Sequence, residues 1–113
     1  MTFTETITSD TVRRARALTI EAELLASKAR AADAACAALR RKVNAALAYL
    51  DGRAPVDSRP YTEREYCFYA AEYRKADVVA ERIRDAWIMA DYKARALTAS
   101  VYMYGTSATV AAL

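Results

Sequence analysis

The sequence predicts an all-α protein built from two long antiparallel helices in a coiled-coil-like helical hairpin, with enough spare apolar surface to associate into a helical bundle. Three observations carry this expectation. The 113 residues include only two glycines and two prolines, and Gly52, Pro55 and Pro60 cluster near the middle while Gly105 stands near the end. The stretches 11–50 and 62–104 hold neither residue type, and both are dense in alanine, leucine, arginine and glutamate, which favour helix. Within each stretch apolar residues recur in alternating steps of three and four, the repeat of a coiled-coil seam.

Residues 1–10 read as an extended arm. Threonine alternates with other residues from Thr2 to Thr8, a strand-like pattern too short to form a sheet alone. Ser9 or Asp10 is placed to cap the first helix. That helix is expected over about 11–51, with its seam at Ala15, Leu18, Ala22, Leu25, Ala29, Ala32, Cys36, Leu39, Val43, Ala46 and Leu50. Gly52 follows, where a left-handed cap residue belongs, and opens a loop over 52–61. Thr62 and Glu65 have the spacing of a capping box, so the second helix is expected over 62–104. Its seam is Tyr66, Tyr69, Tyr73, Ala76, Ala80, Ile83, Trp87, Ala90, Ala94, Leu97, Val101 and Tyr104. Gly105 ends it, and 106–113 form a short tail of small residues.

The seams can be laid together. With the turn about residue 56, Leu18 meets Ala94, Leu25 meets Trp87, Ala29 meets Ile83 and Ala46 meets Tyr66, so large residues face small ones. Lys42–Glu72 and Glu21–Lys93 would then flank the seam as ion pairs. A slip of one heptad gives acceptable core pairs as well, so two registers stay open. Cys36 and Cys67 sit roughly 13 Å apart along the axis in the first register, too far for a disulfide, and both are expected to be reduced thiols in a cytoplasmic protein or one carried in a virus particle. No membrane span is expected, because no apolar run reaches the required length.

One seam does not use all the apolar surface. Ile20 and Leu24 on the first helix lie off it, as do Phe68, Val78, Met89, Tyr92 and Met103 on the second. Tyr102 is a further off-seam aromatic. Exposed contiguous apolar surface marks interaction sites, and tyrosine and methionine are enriched there. These eight residues are the predicted protein interface of a homo-oligomer or of a complex with a protein partner. Two helices alone also make a thin core for independent stability.

The chemistry of catalysis is sparse. The chain contains no histidine, which removes the commonest general base and metal ligand near neutral pH. Two glycines cannot build a glycine-rich phosphate loop, and the acidic residues are spaced as solvated surface charges. The expectation is therefore no enzyme activity, no cofactor and no metal. The predicted function is a self-associating, non-enzymatic interaction or assembly protein, of the kind found as small phage or bacterial accessory factors.

The alternative rests on charge. Between residues 11 and 50 there are eight Lys or Arg against three acids, whereas 62–104 carries seven of each. Arg13, Arg14 and Arg16 form one cluster, and Arg40, Arg41 and Lys42 a second. Either gathers charge within a turn, where it could neutralise phosphates of a nucleic acid. Arg13 to Arg16 also places positive charge in the first turns of a helix, against the helix dipole. The size and hairpin pattern resemble the small secreted helical-hairpin proteins of bacterial type VII systems, but the Trp-x-Gly turn of those proteins has no counterpart here: Trp87 is followed by Ile88 and Met89. No function is carried over from that likeness.

Overall fold

Two helices of equal length, α1 (Ser9–Leu50) and α2 (Glu63–Tyr104), pack against each other as a hairpin in the computed structural model, and a short α3 (Ser107–Ala111) follows. The structure describes residues 7–113, and among these there is no strand. Most of the predicted extended arm, 1–10, lies outside the described residues.

The start of α1 corrects the expected cap. The helix begins at Ser9, two residues before the predicted boundary, and the capping residue is Thr8 instead of Ser9 or Asp10. Thr8 Oγ1 accepts from the Thr11 backbone N–H at 3.3 Å, and Thr11 Oγ1 accepts from the Thr8 N–H at 3.3 Å. Two threonines three residues apart thus satisfy each other's otherwise unpaired donors, as serine and glutamate do in a capping box. Asp10 falls inside the first turn, where its charge suits the helix dipole, and pairs with Arg13 at 3.5 Å.

At its other end α1 stops as the sequence suggests. Gly52 adopts a φ of 71°, which a side chain would resist. The Arg53 N–H then reaches the Ala48 carbonyl at 2.8 Å and the Gly52 N–H reaches the Tyr49 carbonyl at 3.1 Å. These two bonds are the Schellman pattern, and they satisfy carbonyls the helix end leaves free.

The capping box before α2 is also present. Thr62 Oγ1 accepts from the Glu65 N–H at 3.2 Å, and Glu65 Oε1 accepts from the Thr62 N–H at 3.1 Å. Arg59 adds an ion pair to Glu65 Oε2 at 2.8 Å and lies 4.3 Å over the Tyr61 ring. The backbone N–H of Thr62, then the Arg59 guanidinium, hold the Glu65 carboxyl below its ordinary value. Hydrogen bonds to Tyr61 and Glu65 in turn raise Arg59.

A carboxyl whose folded pKa is lowered stabilises the fold above its unfolded pKa and loses that contribution as pH falls through the folded value. Melting temperature is therefore expected to drop as pH is lowered below ~4. Glu65→Gln should melt lower than wild type at neutral pH and converge on it in acid. Thermal melts of both proteins between neutral and acidic pH check this, and parallel curves would contradict it.

The core is made mostly of alanine. Among the described residues seven of the nine buried apolar side chains are alanines, the other two being Val12 and Val101. Of the 23 predicted seam positions, all but the terminal Leu50 and Tyr104 are buried or half-buried. The larger seam members, such as Leu18, Leu25, Ile83, Trp87 and Leu97, are half-buried, because a two-layer contact covers only one side of a large side chain.

Each long helix contributes to two compact units. The loop-distal unit comprises the described residues up to Ser27 together with Arg84–Leu113. Here Ala22, Ala90 and Ala94 form a buried cluster against which Leu18 and Leu25 pack, the contact expected when the chain turns about residue 56. The tail is not irregular: Thr106 Oγ1 caps α3 by accepting from the Thr109 N–H at 3.3 Å. Ala108, Thr109 and Ala112 then lie alongside Ser9, Val12 and Arg16 of α1. Gly105 makes this reversal feasible, since a Cβ there would meet the Val101 carbonyl oxygen and come within 2.5 Å of Thr109 Oγ1.

The loop-proximal unit is Lys28–Ile83. Ala46 and Ala80 are buried in it. Lys42 Nζ sits 5.3 Å over the Tyr69 ring, a contact that belongs to the same register. The predicted flanking pairs do not form. Glu72 takes Lys75 on its own helix at 3.4 Å, Lys42 gains the face of Tyr69, and among the described residues Glu21 and Lys93 make no ion pair. Neighbours one turn away on the same helix are reached with less loss of side-chain freedom than a partner across the seam.

Candidate functional site

The predicted interface residues are placed by helix geometry on outward faces. Core and outward positions alternate because the seam occupies two of every seven residues and the remaining positions point elsewhere. In the loop-distal unit Ile20 and Leu24 of α1 are 63% and 56% exposed, and Met89, Tyr92, Tyr102 and Met103 of α2 range from 56% to 71%. In the loop-proximal unit Phe68 is 60% and Val78 46% exposed. All eight are on the surface.

The α2 members of the loop-distal unit are ordered further. Met89, Tyr92, Ala96, Ala99 and Met103 are all exposed and follow one another in steps of three and four. They lie on the side of the helix opposite the buried seam of Ala90, Ala94 and Val101. Ile88 and Tyr102, 51% and 62% exposed, border the line. Sequence reading named its large members, but the two alanines that make the line continuous carry no signal in a chain with 27 alanines.

A groove of about 560 Å³ opens between α1 and α2 in the same unit. Ala22, Ala26, Trp87, Ala94 and Tyr102 line it, and Ala99 reaches its outer margin. On its rim Asp91 bonds Arg95 at 2.9 Å. No buried side-chain polar atom among the described residues lacks a partner.

In the loop-proximal unit aromatic rings gather beside the capping box. Tyr61 and Tyr69 meet edge to face at 6.4 Å, and Phe68 and Tyr69 at 5.7 Å. Tyr69 thereby sits between two rings and the Lys42 ammonium, an arrangement that holds its ring by quadrupole contacts on several sides. Phe68 remains largely exposed despite its contact with Tyr69.

The two basic clusters are exposed, but not all of their charge is free. Arg13 pairs with Asp10, and Lys42 is engaged over Tyr69. Arg14 and Arg16 leave the helix in different directions, as do Arg40 and Arg41, because consecutive residues are spread around a helix. Arg13 and Arg16 both border the recess formed with α3.

Cys36 is half-buried and Cys67 exposed, and neither is part of a disulfide. Among the described residues no three His, Cys, Asp or Glu side chains converge to hold a metal ion, and no helix is long and apolar enough to cross a membrane. No protein-family model, curated protein or solved structure matches the chain.

Proposed function

We propose that this chain is a non-enzymatic, self-associating helical hairpin whose role is to assemble with protein, first of all with copies of itself. One observation carries the reading: the exposed apolar line on α2 at coiled-coil spacing, opposite the side that forms the hairpin. A helix with apolar residues on two opposite sides is built to have neighbours on both.

The surface area supports the same reading. The chain exposes 8440 Å², whereas a compact monomer of 12.5 kDa exposes roughly 6,200 Å². Burial between chains is the ordinary remedy for a small protein with a thin core.

Light scattering on a sizing column, with absorbance read at two wavelengths, tests the proposal. The expected result is a molar mass at least twice the 12.5 kDa of one chain, with the absorbance ratio of pure protein. A single-chain mass at micromolar concentration would overturn self-association. Co-eluting nucleic acid would turn attention to Arg14, Arg16, Arg40 and Arg41.

A further inference from the structure

We infer that α3 is a strap over the loop-distal end of the hairpin, which opens as a unit of its own and uncovers Val12 and Val101 while α1 and α2 stay paired. The inference does not depend on self-association. Its basis is an inequality of burial within the loop-distal unit. Among the described residues, Val12 and Val101 are the only apolar side chains larger than alanine that are buried, at 4% and 0% exposure. Leu18 and Leu97, the next large residues along the same helices, are only half-buried.

Two helices in contact leave one side of a large seam residue open, as Leu18 and Leu97 illustrate. Full burial of a valine beside them needs cover from a third element, and α3 is the one at hand. Ala108, Thr109 and Ala112 share a recess with Val12 and Arg16 of α1. Leu113, just beyond α3, borders Ile20, Thr98 and Tyr102. Gly105 turns the chain back beside Val101 so closely that a Cβ there would meet the Val101 carbonyl oxygen and lie 2.5 Å from Thr109 Oγ1.

The cover itself is lightly held. Five residues are too few for a helix to persist without packing, and α3 contains no buried residue. Val110 and Leu113 are half-buried, and a recess of about 330 Å³ remains between α3 and α1. Its hydrogen bonds are local. The Thr109 N–H donates to Thr106 Oγ1 at 3.3 Å, the Thr109 hydroxyl to the Thr106 carbonyl at 2.8 Å, and the Val110 N–H to the same carbonyl at 3.0 Å. Such bonds travel with α3 when it moves, so opening gives up a small packing contact. Segments with few buried contacts are the ones that open locally.

The hairpin does not need the strap to stay paired. Ala22, Ala90 and Ala94 cluster with Leu18 and Leu25 further along the seam, at positions that α3 does not share a recess with. Opening about Gly105 therefore bares Val12 and Val101 beside Met103 and Tyr104, which are already 71% and 65% exposed. The loop-distal end presents this enlarged apolar strip only while the strap is away, and α3 acts as its gate.

Thiol labelling of the full chain in a cysteine-free background (Cys36→Ala, Cys67→Ser) tests the strap. Val101→Cys puts a small apolar thiol at the covered position, and Ala80→Cys puts one at a position 1% exposed in the loop-proximal unit. Val101→Cys is expected to react with a maleimide at least about tenfold faster than Ala80→Cys, because it needs only the local opening. Its rate should depend weakly on urea, since that opening exposes little surface. Two variants free the strap: Gly105→Val, whose side chain the reversal has no room for, and Val110→Asp, which charges the half-buried side of α3. Each is expected to speed Val101→Cys about tenfold further, with Ala80→Cys and the helical circular dichroism unchanged. Equal rates for the two thiols, or unchanged reactivity of Val101→Cys in both strap variants, would overturn the inference. So would strap variants in which Ala80→Cys quickens as much as Val101→Cys, since α3 would then belong to the cooperative fold.

Discussion

The double variant Phe68→Asp, Met89→Asp is expected to elute at the mass of one 12.5 kDa chain at concentrations where wild type is oligomeric. A charge introduced into a contact that excludes water must be desolvated or keep the contact open, and truncations at such positions cost about 2 kcal/mol or more each. Even the lower figure, taken once, weakens association about thirtyfold. The hairpin itself should survive. Met89 is 56% exposed and Phe68 60% exposed, and substitutions at such sites change stability by about half a kcal/mol. Phe68 also gives up its edge contact with Tyr69 at 5.7 Å, worth about 1 kcal/mol. Light scattering and thermal melts together separate the outcomes: lost mass with retained folding supports the proposed assembly, and unchanged mass refutes it for these residues. Each single variant shows which part of α2 carries the effect, since Met89 and Phe68 belong to different units.

Two residues apart on the same helix, Val101→Asp and Met103→Asp are expected to behave in opposite ways. Val101 is fully buried, the largest side chain in that state, whereas Met103 is 71% exposed. A carboxylate at 101 would be taken out of water, since the position is fully buried. Such changes cost at least about 4 kcal/mol, a large share of the ~5–15 kcal/mol that holds a small domain together. Val101→Asp should therefore lose most of its cooperative melt and exchange its loop-distal amides rapidly, whatever its assembly state. Met103→Asp should keep a folded hairpin and lose oligomer. Hydrogen exchange and molar mass distinguish the two, and a well-folded Val101→Asp would contradict the burial that defines the seam.

Much of this molecule is determined by local rules that a sequence displays. The seams were legible because a helix repeats every 3.6 residues, and a long alternation of three- and four-residue steps is hard to produce otherwise. Gly52 and the Thr62–Glu65 box marked helix ends because each is a backbone requirement met by few residues: a positive φ in one case, two unpaired donors in the other. The outward position of Met89, Tyr92 and Phe68 follows from the same repeat, once the seam is identified.

Tertiary structure decided what the repeat leaves degenerate. Both registers differing by one heptad present the same pattern, and only the clustering of Ala22 with Ala90 and Ala94 and the seating of Lys42 on Tyr69 distinguish them. The Thr8–Thr11 cap took precedence over Ser9 and Asp10 because a reciprocal pair satisfies two donors where a single side chain satisfies one. The tail became α3 because Gly105 lets the chain reverse against Val101 and α1, where small residues gain cover they could not find alone. The alanines at 96 and 99 gained meaning only from their place in the fold. An alanine carries no chemistry of its own, so its contribution is the nearness it permits, and nearness is a property of the packed chain.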